Sequence, residues 1–140
     1  MNPFLPGMIR PASDWFVRCK ITFSLLAIAA TVLIAYFPAL QLGFYGDDWI
    51  FYDLAGRLSL SDYLVKYFDP RVQTAWYRPV QGVLFRIEYA VFGTNPLGYH
   101  FLNVLLHLAN CLLLCALVYR VTRNWRIGFV AALIFASLPT

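Results

Sequence analysis

The sequence predicts an all-α integral membrane fold with two complete transmembrane helices and a truncated third. An extracytoplasmic loop carrying interfacial amphipathic helices joins the first two. Two observations predict the spans. Residues 21–40 are an uncharged run of 20, and residues 97–119 run for 23 without a formal charge. Twenty residues of helix rise about 30 Å, the thickness of a bilayer's hydrocarbon core. Composition is the third observation. Hydrophobic residues are 61% of the chain, charged residues 13%, and the mean hydropathy is +0.64. A soluble domain usually carries about 25% charged residues.

Residues 1–20 read as a short polar head holding Arg10, Arg18, Lys20 and an interfacial Trp15. The first span, 21–40, is longer than the apolar stretch of a cleaved leader and no A-x-A site follows it, so it reads as retained. The outer loop, 43–96, holds six of the seven acids: Asp47, Asp48, Asp53, Asp62, Asp69 and Glu88. After the second span, Arg120, Arg123 and Arg126 make a basic turn at 120–126. A third apolar run fills 127–140, which as a helix would rise about 21 Å, too little to cross. Two and a half spans do not enclose a polar site away from lipid. The chain therefore reads as a single membrane module of a larger protein, inactive by itself.

Basic residues set the expected orientation. Arg10, Arg18 and Lys20 precede span one, while Arg120, Arg123 and Arg126 follow span two. The positive-inside rule puts both sets, and the amino terminus, in the cytoplasm. The acidic loop is then extracytoplasmic, although it also holds Arg57, Lys66, Arg71, Arg78 and Arg86. Such a multi-pass protein belongs in a bacterial inner or plasma membrane, or in the endoplasmic reticulum of a eukaryote. The net charge of +4 comes from eleven scattered basic residues, not a run, which argues against a nucleic-acid partner. Cys19, Cys111 and Cys115 fall in or beside the apolar spans and form no disulfide framework.

The loop has periodicity of its own. Between residues 58 and 68, Leu60, Tyr63, Leu64 and Tyr67 recur at helical spacing; between 80 and 92, Val83, Leu84, Ile87 and Val91 do the same. Both segments read as helices lying in the membrane interface with their apolar faces down. Trp49, Trp76 and Tyr77 suit that layer, and Asn95-Pro96 signals the turn into span two.

Two features carry chemistry. Asp47-Asp48 stands seven residues beyond span one, where that helix emerges into water. Adjacent carboxylates repel each other, and holding them beside lipid is costly unless a cation, a base or a reaction uses them. In span two, His100, Asn103, His107 and Asn110 follow at spacings of three, four and three, a polar stripe along an apolar helix. Hydrogen-bonding groups in hydrocarbon need partners, so this stripe is expected to face protein or a watery cavity.

Three blocks carry a resemblance: Gly-Phe-Tyr-Gly-Asp-Asp-Trp (43–49), Trp-Tyr-Arg-Pro-Val (76–80), and the run 92–110, which contains Gly-Tyr-His-Phe-Leu-Asn. In order and spacing they resemble the amino-terminal part of the multi-pass glycosyltransferases of the GT-C type. Within that type they look nearest to the protein O-mannosyltransferase and tetratricopeptide-bearing O-mannosyltransferase branch. The resemblance implies transfer of sugar from a polyprenyl-phosphate carrier to an extracytoplasmic acceptor hydroxyl on a protein, lipid or glycan. It implies that Asp47 and Asp48 are the catalytic acidic motif, one acting as general base, or both holding a divalent cation where a relative uses one. The lipid phosphate leaving group needs a cation, for which Arg78 is the nearest candidate, with His100 and Asn103 orienting the carrier phosphate or the acids.

Each feature has a plainer reading. The doublet suits the N-cap and first turn of a loop helix. Arg78 suits a pair with Asp69 or Glu88, or a lipid headgroup. The stripe suits hydrogen bonding between helices, above all at His107 and Asn110. The alternative function is a catalytically inactive truncated or accessory membrane protein that binds carrier lipid or a partner subunit.

Overall fold

The computed structural model describes residues 11–72 and 77–138, with side chains in the first helix described from Cys19 onward. Trp15, Arg10, Arg18 and Trp76 as side chains lie outside the described residues. The chain is all-α. In order come α1 (Pro11–Tyr36), a 3-10 turn (Phe37–Gln41), α2 (Asp48–Arg57), α3 (Leu60–Phe68), α4 (Pro79–Phe92), α5 (Pro96–Thr122) and α6 (Trp125–Ser137). Two helical stretches, Cys19–Gln41 and Pro96–Thr122, are long and apolar enough to cross a membrane. Helix α1 begins at Pro11, inside the segment expected as a polar head, and α6 is a 13-residue helix that closes at Ser137 with Leu138 extended behind it.

The contacts divide the chain into two compact units, one of residues 36–106 and one of residues 1–35 with 107–140. In the second of these, the buried positions of α1 among the described residues are Ser24, Ile28 and Val32, one turn apart. Ser24 and Thr31 return their hydroxyl protons to the carbonyls of Lys20 and Ala27, at 2.8 and 2.9 Å, which is how a hydroxyl lives in an apolar helix. Gly128, Ala132 and Ala136 make the buried stripe of α6. A methyl group on Gly128 would stand 2.7 Å from the backbone oxygen of Cys115, so α5 and α6 meet almost backbone to backbone. Asn124 caps α6 by accepting from the Arg126 amide at 3.0 Å.

The unit of residues 36–106 is built around Ala55, Tyr63 and Tyr67, with Phe51, Leu54, Leu58 and Tyr89 packed against them. Ser59 caps α3: its hydroxyl accepts from the Asp62 amide at 3.2 Å and donates to the Asp62 carboxylate at 2.6 Å. Helix α4 lies close over α3 because residue 82 is glycine. A Cβ there would meet the Tyr67 ring at 2.5 Å, and the Tyr63 hydroxyl donates to the Gly82 carbonyl at 2.9 Å. Gly93, at φ +57°, ends α4, and its carbonyl accepts from the Tyr99 hydroxyl at 2.8 Å, clipping the start of α5 to that turn.

The expected outward face of α3 needs correction. The tyrosine side of α3 is interior: Tyr63 is 0% exposed and Tyr67 is buried, while Leu60 and Leu64 are outside. Tyrosine reads as an interfacial residue from sequence, yet here each ring packs on another, Tyr63 on Tyr67 at 4.7 Å. In α4 the expected apolar face does point outward at Ile87 and Val91, but the buried side is Gly82, Phe85 and Glu88.

Candidate functional site

The stretch 43–49 is a tight structural device. Gly46 takes φ +55°, a left-handed conformation that suits glycine, and this turns the chain into α2. The Asp48 amide donates to the Tyr45 carbonyl at 3.1 Å, and the Tyr45 amide donates back to Asp48 Oδ2 at 3.1 Å. One carboxylate oxygen of Asp48 therefore holds the turn. Asp47 stands at the N-cap position but makes no capping bond with its side chain; it is exposed while Asp48 is half-buried. The plainer capping reading thus fails for the Asp47 side chain and holds in part for Asp48.

Aromatic rings fix this turn in its unit. Phe44 packs against Trp49, Tyr52 and Tyr99 at centroid distances of 5.4, 5.3 and 5.0 Å. His100, one residue beyond Tyr99, places Nε2 3.4 Å from the Gly43 carbonyl. The start of α5 is thus bound to Gly43 and Phe44, the leading end of the Gly43–Gly46 segment, and His100 supports that end of the turn. Arg78 occupies the N-cap position of α4, exposed, with Nη1 donating to Gln81 Oε1 at 3.4 Å. Asn103 is exposed on α5. His107, further along the stripe, is buried and stacks on Phe135 of α6 at 5.2 Å, a helix-packing role.

Glu88 is the residue that sequence reasoning passed over, naming it only among the loop acids and as a partner for Arg78. It is 2% exposed, and its Oε1 has no hydrogen-bond partner among the described residues. Burial, reinforced by the negative charge of Asp48, pushes its carboxyl up to about 7. A signal was present: Glu88 falls on the same face of α4 as Gly82 and Phe85, a small and an aromatic residue, where a lone acid is out of place. Among the described residues no three His, Cys, Asp or Glu side chains come together as a metal-binding group.

Known proteins resemble the chain, in one case over nearly all its length. It is 31% identical over 145 residues to the protein O-mannosyl-transferase Tmtc1 of Drosophila melanogaster, an alignment covering 96% of this chain and 17% of that protein. Its relatives are protein O-mannosyl-transferases. Tmtc3 of Drosophila melanogaster is 35% identical over 83 residues, covering 45% of this chain and 9% of the relative. TMTC2 of Homo sapiens is 40% identical over 63 residues, covering 45% of this chain and 8% of the relative. The chain thus spans less than a fifth of the length of these curated relatives. No family model matches it, and no solved structure does.

Proposed function

We propose that this chain forms the acidic-loop part of a multi-pass membrane glycosyltransferase of the GT-C type, taking a sugar, mannose by analogy with its relatives, from a polyprenyl-phosphate carrier. The acceptor is a hydroxyl on the extracytoplasmic side, and the amino terminus is cytoplasmic. The observation that carries the reading is Asp48, fixed at the head of α2 by a turn of positive φ and by one of its own carboxylate oxygens. Its other oxygen, Oδ1, is the one we assign to the reacting group. In the step we assign to it, the acceptor O–H proton passes to the Asp48 carboxylate as the acceptor oxygen bonds to the sugar's anomeric carbon. The bond from that carbon to the carrier phosphate breaks, and its electron pair leaves with the phosphate. Arg78, exposed at the start of α4, is positioned for a phosphate by its planar fork of donors. Asp47 and Asn103, both exposed, are assigned to acceptor or carrier contacts, and His100 to holding the Gly43–Gly46 turn.

The test is transfer of radiolabelled mannose from synthetic polyprenyl-phosphate mannose in membranes containing the full-length enzyme of which this chain is proposed to be a part. Asp48→Asn keeps shape and removes charge, so it is expected to lower transfer by roughly a hundredfold to ten-thousandfold at unchanged abundance. Full activity in that variant would reduce Asp48 to a turn-closing residue. Absence of transfer by that unaltered full-length protein would favour the accessory, lipid-binding alternative.

A further inference from the structure

Glu88 is the one deeply buried acid among the described residues, and its position calls for an explanation that the general-base reading does not supply. Helix α4 packs across α2, with Phe85 on Phe51 at 5.1 Å and Tyr89 on Tyr52 at 5.4 Å. Asp48 is one turn before Tyr52 on the same face of α2, and Glu88 is one turn beyond Phe85 and beside Tyr89 on α4. The two carboxyls are therefore on the facing sides of one helix pair, close enough for the charge of Asp48 to act on Glu88. Two carboxylates sharing a half-buried space do not both ionise readily, and the one in the less polar place keeps the proton. Burying an ionised carboxyl with an oxygen that accepts nothing is strongly unfavourable, a burden the neutral acid avoids.

The other ionisable neighbours do not supply a counter-charge. Tyr63 of α3 and Tyr99 of α5 each interact electrostatically with Glu88, and Tyr52 and Tyr89 adjoin Tyr99. All four are phenols, which carry no positive charge in either protonation state. Arg86, on α4 itself, carries its guanidinium over the Tyr63 ring at 5.5 Å. None of these gives a hydrogen bond to Glu88 Oε1.

We propose that Glu88 is a positioning residue that forms one proton-sharing unit with Asp48: the buried carboxyl on α4 keeps the pair's proton and leaves Asp48 as the single carboxylate of the site. This rests on the reading of Asp48 as the base. It assigns different roles to two acids on different helices, one hidden and neutral, one half-exposed and charged. When Glu88 ionises, a second negative charge stands beside Asp48 and opposes docking of an anionic lipid phosphate, so the donor KM rises.

Two measurements test it, and the first needs no transferase activity. Infrared spectra of the purified protein in phosphatidylcholine vesicles, taken across the neutral range, are expected to show a protonated-carboxyl band that disappears with a midpoint near 7. That band is expected to be missing in Glu88→Gln and to titrate at lower pH in Asp48→Asn, which removes the neighbouring charge but leaves the burial. A band that survives Glu88→Gln, or a midpoint indifferent to Asp48→Asn, overturns the pair. The second measurement is transfer from synthetic polyprenyl-phosphate mannose by the full-length enzyme as a function of pH. The donor KM of the unaltered protein is expected to climb as pH rises through 7, and Glu88→Gln is expected to lose that climb whatever its absolute rate. The same climb in Glu88→Gln overturns the proposal. Full transfer by Asp48→Asn instead overturns the general-base reading beneath it, and the infrared result separates the two failures.

Discussion

A single buried carboxyl has thermodynamic consequences for the whole loop unit. Glu88 ionises near 7 when folded, against an ordinary value of 4.5. Between those two pH values the folded chain holds a proton that the unfolded chain has released. Stability from this group is therefore complete below about pH 4.5 and is lost as pH rises through 7. The full swing is on the order of 3 kcal/mol, taking about 1.4 kcal/mol for each unit of displacement. Thermal unfolding in mild detergent at acid and mildly alkaline pH is expected to give a lower midpoint on the alkaline side, with the difference much reduced in Glu88→Gln. An unchanged difference would show that other groups set the pH response. The contrast with Asp53–Arg57 is instructive: that ion pair is largely exposed and spaced i, i+4, so it contributes little. Exposure is invisible in a sequence, and both acids look alike on paper.

At the scale of elements, what was legible follows from what each helix buries. Helices α3 and α4 were expected at 58–68 and 80–92 and lie at Leu60–Phe68 and Pro79–Phe92, because each carries apolar residues at a helical period. Helix α2 was not anticipated beyond the suggestion that Asp47-Asp48 capped something. Its only fully buried residue is Ala55, and its aromatic first turns look alike on every side, so it has no readable stripe. The side of α4 that faces inward was not anticipated for a related reason: its interior includes Gly82, which gives no hydrophobic signal, and Glu88, which gives a contrary one. The turn into α2 offers a direct test of how that helix is held. Nothing lies within 4 Å of a Cβ added at Gly46, so Gly46→Ala meets only the backbone cost of φ +55°. That cost is about 1–2 kcal/mol, and Asn, which tolerates the left-handed region, is expected to recover much of it. Thermal unfolding of the two variants measures the difference; equal stability of Ala and Gly would mean that the turn does not need its positive φ.

The architecture of the whole molecule was the most legible layer, since hydropathy alone marks the two long apolar helices that the structure contains. The candidate site was legible at Asp47 and Asp48 as residue types in an unusual place, but not in its wiring: Tyr45, Phe44 and Gly43 carry the turn, and no pattern of charge or polarity announces them. The proposed orientation has a test of its own. Tyr45 is 87% exposed beside the doublet, so a Tyr45→Cys variant expressed in a bacterial inner membrane is expected to react in intact cells with a maleimide that does not cross that membrane, well above the wild-type background. Reaction only after the membrane is opened would place the acidic loop in the cytoplasm.

The contact between α5 and α6 separates two requirements that a hydropathy plot merges. Entry of these helices into a bilayer depends on greasiness, which valine or leucine at position 128 would only increase. Closure of the pair depends on bulk, because the Cys115 carbonyl leaves no space for even a methyl group there. Lipid tails are as apolar as the side chains, so close fit, rather than escape from water, draws such helices together. Enlarging residue 128 would yield a chain that inserts normally yet remains unassembled, a defect that measures of membrane integration would score as healthy.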